Sequence, residues 1–361
     1  MKIIIINNMF PPEGTGGAER FVENQAVSLV KEGHDVVVVA GSKKNKREFY
    51  QNYKIVRFKP RNIYNLLDAS KHNILTRSLW TIIDVWNIGT YLQLKKIILR
   101  ERPNMIICHN LKGIGYLTPD LIRVHGIKYI QYIHDVQLAV PSGVLYADIK
   151  MWHTNGILQK IYTRIIRGLM GSPDEVISLS EWLLTYYTSQ KFFKDSKMSV
   201  LPFSISTFDK AEILKNLNRF VIKVKGKKEI SLLYVGKIEE QKGVFRLIED
   251  VKKLPKNLHL LIVGSGEREE KLKKEIEGVT NIKYTGQKSK TELNDYYKNA
   301  DILVVPSLCF ENRPQVIIEA YKNNLPVIAH KIGGIPEIVI NGETGMLIDN
   351  KDRLSFQNIF K

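Results

Sequence analysis

The chain's 361 residues are too many for one ordinary domain and suit two, and a composition of 44% hydrophobic and 25% charged residues excludes a disordered polymer. No apolar run reaches the roughly 18 residues of a membrane-spanning helix, and residues 1–10, apolar but short and followed by no small-residue cleavage site, read as a first strand and not as a signal peptide. Cys108 and Cys309 stand in apolar segments away from any CxxC or Cys/His cluster, which argues against a disulfide framework or zinc site and for the cytoplasm, while a net charge of +17 calls for an anionic partner or a lysine-rich surface.

Strand-like and helix-like segments alternate along the chain, the pattern of parallel α/β sheets. In the first half, runs rich in Ile and Val at 2–7, 34–40, 54–58, 105–109, 128–134 and 175–179 predict strands buried on both faces. A helix follows the first of them: Ala18, Val22, Ala26 and Leu29/Val30 recur at helical spacing, and Gly33 suits the C′ position. Residues 1–200 hold 27 Lys+Arg against 16 Asp+Glu, a balance of +11 that leaves +6 for the rest. The densest stretch, 51–100, sets nine basic residues against two acidic ones among the aromatics Tyr53, Phe58, Tyr64, Trp80 and Trp86. That mixture suits an anionic membrane surface. A surface merely filled with lysine is the plain alternative, and nucleic acid is not expected. A short strand at 198–202 precedes residues 204–228, whose polar, Lys-rich, weakly periodic composition is that of an inter-domain linker. The alternation restarts at Glu229, with strands at 230–235, 258–264, 281–284, 301–306, 326–330 and 346–349. Two Rossmann-like α/β domains with parallel sheets are predicted, 1–203 and 229–361.

Glycine loops stand where such sheets bind ligands. After the first strand, Gly14-Thr15-Gly16-Gly17 opens the helix; Gly16 and Gly17 let a ligand approach the backbone, and the helix start offers N–H groups to an anion. The spacing misses the dinucleotide fingerprint, because Glu19 stands where its third glycine would be, so bound NAD is disfavoured. Gly264-Ser265-Gly266 and Gly333-Gly334 likewise follow strands at their carboxyl ends. Each loop alone also reads as a turn.

The segment 306–320 carries two glutamates eight apart, Glu311 and Glu319. Pro314 suits the N1 position, so a helix is expected to start there, with Glu319 in its second turn and Glu311 in the loop before it. Arg313, Pro314, Gln315 and Val316 then form a helix start able to receive a diphosphate, with a carboxylate on either side for hydroxyls. A sugar nucleotide has that layout of hexose, diphosphate and ribose; two surface glutamates are the plain alternative. Lys237 and Lys242, after the domain's first strand, supply cations that would neutralise a departing diphosphate.

Taken in order, Pro-Pro-x-x-x-Gly-Gly-Ala-Glu-Arg, Val-Gly-Lys…Lys-Gly, Gly-Ser-Gly-Glu, Glu-x7-Glu, Gly-Gly-Ile-Pro-Glu and Asn-Gly-Glu-Thr-Gly resemble the family 4 (group 1) retaining glycosyltransferases of the GT-B fold over about residues 1–350. The resemblance implies two Rossmann-like domains facing a cleft. It implies that Glu311 contacts the donor sugar, Glu319 the ribose, and Lys237 and Lys242 the diphosphate, with Gly16 and Gly17 beside the diphosphate and acceptor. His134, ending the 128–134 strand, is similar to the family histidine that approaches the transferred sugar; His109 and Asn110 would line the acceptor side. Read without the resemblance, His134 is a satisfied strand-end histidine.

Two departures stand out. Lys237 occupies a position where the family usually has Arg, which keeps the charge and loses the bidentate fork. The family also continues past Asn-Gly-Glu-Thr-Gly with helices that brace the first domain, whereas this chain stops at Lys361, so its C-terminal domain is expected to be truncated and domain closure impaired. No Asp-x-Asp occurs, so no metal or cofactor is expected, and no carboxylate is designated as a nucleophile for double displacement. The expectation is a hexosyltransferase of cell-surface polysaccharide synthesis, cytoplasmic or peripheral at the inner membrane face. It would use a UDP-sugar in preference to a GDP-sugar, and a glycan or polyprenyl-linked acceptor. The competing readings are a nucleotide-sugar epimerase on the same fold and an inactive remnant that binds donor or membrane.

Overall fold

The computed structural model describes residues 1–14, 16–147, 156–352 and 354–360. They divide into two compact units, 1–143 with 156–201, and 144–147 with 202–360.

The first unit is built on an eight-stranded sheet of β1 (Lys2–Asn7), β2 (Asp35–Gly41), β3 (Lys46–Tyr50), β4 (Tyr53–Phe58), β5 (Met105–Cys108), β6 (Lys128–Ile133), β7 (Glu175–Ser178) and β8 (Lys197–Val200), in the order β3-β4-β2-β1-β5-β6-β7-β8. Ile3 to Ile6 of β1 are all buried, because each face of the central strands is covered. The edge strand β3 departs from the sequence expectation. It pairs antiparallel with β4 through a two-residue turn, Gln51–Asn52, whose φ values of 46° and 66° are those of a hairpin turn. Its charged, mostly exposed residues give no buried face to read, and they blunt the sheet edge.

The second unit repeats the plan with β9 (Ile230–Val235), β10 (Leu258–Val263), β11 (Ile282–Tyr284), β12 (Ile302–Val305), β13 (Val327–His330) and β14 (Gly345–Ile348), all parallel, in the order β11-β10-β9-β12-β13-β14. In both sheets the chain first winds outward on one side of its first strand, then returns to the other. The order reverses between β1 and β5 and between β9 and β12, and ligands bind at the carboxyl ends of strands at such points.

Residues 204–228 are not a linker. Lys210–Lys225 is a helix, N-capped by Asp209, whose Ile213, Leu217 and Phe220 are buried in the cores of the second unit. The i, i+4, i+7 spacing forms one apolar stripe, flanked by the partly buried Val221 and Val224; the exposed Ile222 and interspersed lysines, asparagines and an arginine dilute the signal. Residues 144–147, expected in the first domain, also belong to the second unit. Asn341 to Gly345 prove to be a turn that fixes itself: Thr344 Oγ1 accepts the Ile340 N–H, and Asn341 Oδ1 accepts that of Leu347 at 2.8 Å.

Candidate active site

At the switch point of the second sheet, the loops after β9 and β12 meet. Gly236 and Lys237 follow β9, and a short 3-10 turn, Glu240–Lys242, leads into the helix Val244–Lys252. Leu308, after β12, donates its N–H to the Gln241 carbonyl at 2.9 Å, clamping the loops together. Lys242 Nζ consequently lies 2.7 Å from Glu311 Oε1, and the Ser307 hydroxyl donates to the same oxygen at 2.8 Å. Burial would pull the Lys242 ammonium down, but the carboxylate beside it outweighs that and holds it above the ordinary lysine range.

The support behind this pair is extensive. His330, at the end of β13, is buried, and its Nδ1 lies 2.8 Å from the Ser307 carbonyl. A carbonyl only accepts, so Nδ1 carries the proton. Burial pushes His330 down to about 4, which keeps it neutral. Gly334 N–H donates to the Glu311 carbonyl at 2.8 Å. Gly333, at φ +58°, lies so close that a Cβ there would overlap that oxygen. Residues 144–147 run alongside: Phe310 N–H donates to Leu145 O at 2.8 Å, and Ala147 N–H to Leu308 O at 3.0 Å.

The helix after Glu311 spans Gln315–Lys322, starting one residue later than predicted because Pro314, with ψ 119°, stays extended as its N-cap. The first N–H groups of a helix, here of Gln315 and Val316, have no partner within it. Glu319 sits in the second turn, where the Tyr297 hydroxyl donates to it at 3.0 Å. Arg313 lies 5.8 Å from the Phe203 ring centroid. Lys237 stands apart from the Lys242–Glu311 pair: its side chain is 69% exposed and 3.8 Å from Glu239. Gly264 and Gly266 pack against the loop after β9. A Cβ on Gly264 (φ +144°) would overlap the Gly236 carbonyl, and one on Gly266 would lie 2.6 Å from Ile238 N. Their lack of a side chain is thus first a packing requirement.

The first unit places a second polar group at its own switch point. Asn7 Oδ1, at the end of β1, accepts the Asn110 N–H at 3.1 Å, and Ile6 O accepts that of His109 at 2.9 Å. His109 Nε2 lies 2.8 Å from Gln25 Oε1, and its Nδ1 lies 2.8 Å from His134 Nε2. With the Gln25 oxygen as acceptor, His109 donates from Nε2 and accepts from His134, which fixes both tautomers. Phe21 packs its ring 5.4 Å from that of His134, and Tyr132 stacks on His109 at 4.9 Å. Burial pulls both imidazoles down, His134 to about 4. Next to it, burial pushes Asp135 up to about 6 against the opposing Gln137 N–H and Lys112. Gly16 N-caps the helix Gly17–Lys31, and a Cβ on it would fall 2.6 Å from Glu19 Oε2.

Ser307, His330, Gln25 and Tyr297 were not singled out from the sequence. Ser307 and His330 follow or end predicted strands, which is a usable signal. Gln25 and Tyr297 lie inside ordinary helices and carry none.

Known proteins share this plan. Residues 216–359 match the family described as glycosyl transferases group 1, and residues 15–207 match glycosyltransferase family 4. A 42.6 kDa protein in the cps region of Klebsiella pneumoniae is 24% identical over 340 residues, spanning 94% of this chain and 87% of that protein. Sucrose-phosphate synthase from Thermosynechococcus elongatus has a similar structure, with a TM-score of 0.72 and 20% identity over 99% of this chain and 88% of its own. Anabaena HepE in complex with UDP-glucose gives a TM-score of 0.67 and 16% identity over 100% and 88%. Matched in both halves, and carrying two doubly wound parallel sheets, the chain belongs to the family 4 (group 1) glycosyltransferases and has the GT-B fold.

Proposed function

We propose that this glycosyltransferase moves a hexose from a nucleoside diphosphate sugar, UDP in preference to GDP, to a glycan or lipid-linked sugar acceptor in cell-surface polysaccharide synthesis, with retention of configuration and without a metal. The HepE structure with UDP-glucose supports the donor class, and the cps location of the Klebsiella relative supports the polysaccharide role. The observation that carries the reading is the Lys242–Ser307–Glu311 assembly at the carboxyl ends of β9 and β12.

Charge leaves the sugar with the diphosphate, so the transition state needs positive potential where the phosphate oxygens collect electrons. The Lys242 ammonium and the helix start at Gln315 and Val316 supply it. Lys237 and Arg313 add cationic side chains on the same two loops, and the Gly264–Gly266 loop brings backbone to the donor. Glu319 takes the ribose hydroxyls. Glu311 Oε1 already accepts from Lys242 and Ser307, and a carboxylate oxygen so engaged is a poor nucleophile. Its role is to orient the sugar hydroxyls. In a front-face substitution the bond from the anomeric carbon to phosphate breaks, and the bond to the acceptor oxygen forms on the same side. The departing phosphate oxygen takes the acceptor's proton. His134, a neutral imidazole, serves the transferred sugar, His109 and Asn110 serve the acceptor, and Gly16 and Gly17 adjoin diphosphate and acceptor.

Glu311→Ala is expected to lower turnover about a hundredfold or more while UDP still raises the thermal unfolding temperature. Turnover near that of the unmodified enzyme removes Glu311 from the mechanism. An inverted anomeric signal in the product's proton NMR spectrum removes retention.

A further inference from the structure

A second surface of the first unit has no part in the chemistry above. The helix Ile74–Val85 buries Trp80, Asp84 and Val85. Elsewhere on its circumference Leu75, Leu79, Ile82, Ile83 and, just past its end, Trp86 are 79, 53, 62, 37 and 52% exposed. Their spacing of i, i+4, i+7, i+8 and i+11 puts them on one face, a stripe about 100° wide. The next helix, Ile88–Glu101, adds exposed Ile88, Leu92 and Leu99. Hydrocarbon gathered in this way marks a surface that meets something other than water. Of the aromatic residues Tyr53, Phe58, Tyr64, Trp80 and Trp86, Trp86 alone belongs to it: Tyr53, Phe58 and Trp80 are buried in the unit, and Tyr64 is stacked between His72 and Trp80.

The charge around the stripe is basic almost without opposition. Of the two acidic residues in 51–100, Asp84 is buried, accepting the Gly113 N–H at 2.7 Å, and Asp68 is held by Lys43 and Lys71 at 2.9 and 2.8 Å. Arg77, Lys96 and Arg100 are exposed. Next to the helix opens a cavity of about 590 Å³ whose wall includes Ile83 of the stripe together with Lys59, Arg61, Asn45, Asn62 and Gln93. Its floor is fixed. Lys59 N–H donates to Asn45 Oδ1 at 2.8 Å, Arg61 N–H to Thr90 Oγ1 at 3.1 Å, and the Asn87 side-chain amide to Arg61 O at 2.8 Å. Among the described residues, no carboxylate pairs with the Lys59 ammonium or the Arg61 guanidinium.

Two cations without a carboxylate partner, lining an open hollow of mixed polar and apolar wall beside an apolar helix face, reproduce the layering of a bilayer surface: phosphate, then hydrocarbon. We infer that this face docks on an anionic phospholipid bilayer, with Leu75, Leu79, Ile82, Ile83 and Trp86 entering the acyl region and a lipid phosphate held between Lys59 and Arg61. A second copy of the chain fits less well, since two-fold pairing would bring two copies of the same basic surface, with Lys59, Arg61 and Arg77 on each, against one another. The surface is independent of the donor-binding loops, and it supplies what a lipid-linked acceptor requires of the enzyme.

Co-sedimentation of the full chain tests this with vesicles of phosphatidylcholine alone and of phosphatidylcholine with phosphatidylglycerol. Binding is expected to the anionic vesicles only, weakening with salt, and to fall about tenfold in Leu79→Ser/Ile82→Ser and likewise in Lys59→Gln/Arg61→Gln. The inference is overturned by any of three outcomes: no binding to either vesicle, binding that neither variant weakens, or a dimer that Leu79→Ser/Ile82→Ser dissociates while vesicle binding persists. UDP-induced thermal stabilisation of the same samples keeps the two readings apart. A UDP response without vesicle binding refutes docking alone, and vesicle binding without a UDP response refutes the donor reading alone.

Discussion

His330 stands one step behind the chemistry, and its protonation state is a consequence of where it is buried. The unfolded chain protonates this imidazole near the ordinary 6.5, the folded chain only near 4. Between those values the unfolded state binds the extra proton, so the stability it contributes is complete above the higher value and is lost as pH falls toward the lower. At pH 5 the loss is on the order of 2 kcal/mol. His134 acts in the same direction. Asp84 and Asp135, pushed up by burial to about 7 and about 6, act in the opposite one, because their folded forms hold protons that the unfolded chain releases. The pH profile of the whole protein is therefore a sum, and a single substitution is needed to isolate one group. His330→Asn keeps a donor near the Ser307 carbonyl and removes the titration. Urea midpoints measured from neutral pH down to pH 5 are expected to fall less steeply in the variant, and parallel curves would show that His330 does not charge on unfolding.

Elements place these groups through backbone that has no room for side chains. Gly333 has a positive φ and faces the Glu311 carbonyl, whereas Gly278, with φ +73°, has open space where a Cβ would be. Gly278→Ala is expected to cost about 1 kcal/mol of backbone strain and leave activity intact. Gly333→Ala adds a clash that displaces Glu311, so turnover should fall at least tenfold more than in Gly278→Ala, with the unfolding temperature as the control. Equal turnover in the two variants would separate the loop from the chemistry. Such loops were only partly legible in the sequence. The apolar runs of β1, β9 and β12 announce strands because both faces are buried. The strand β3 does not, because its residues are mostly exposed. The helix Lys210–Lys225 reads as a linker because its core residues, Ile213, Leu217 and Phe220 with Val221 and Val224 beside them, are interleaved with polar ones and with the exposed Ile222, which blurs the helical period. The motif Glu-x7-Glu marks where the proposed site lies, yet the contacts that build it have no local signature. Lys242 and Glu311 are 69 positions apart, and His330 and Ser307 are 23 apart, joined only when β9, β12 and β13 pair.

At the scale of the molecule, each unit has its own interior. Ile3, Ile5, Val36 and Val38 pack together in the first, while β9 of the second sends Leu232 and Tyr234 to one layer and Leu233 to the other, as the two-residue strand period requires. Every residue proposed here to hold the nucleoside diphosphate except Gly16 and Gly17 lies in the second unit, with His134 of the first unit proposed to meet only the sugar, so UDP should stabilise the second interior selectively. Saturation to about a hundred times Kd stabilises the unit that holds the ligand by about 2.7 kcal/mol, which slows hydrogen exchange through its cooperative opening about a hundredfold. The amides of β9, β10 and β12 should show that slowing, and those of β1 and β2 little of it. Lys242→Met should reduce the effect by removing the cation proposed to hold the donor's diphosphate. Slowing confined to β1 and β2, or undiminished in Lys242→Met, would move the donor away from the Lys242–Glu311 assembly and would leave the tight packing of the Gly236, Gly264 and Gly333 loops as structure without a ligand.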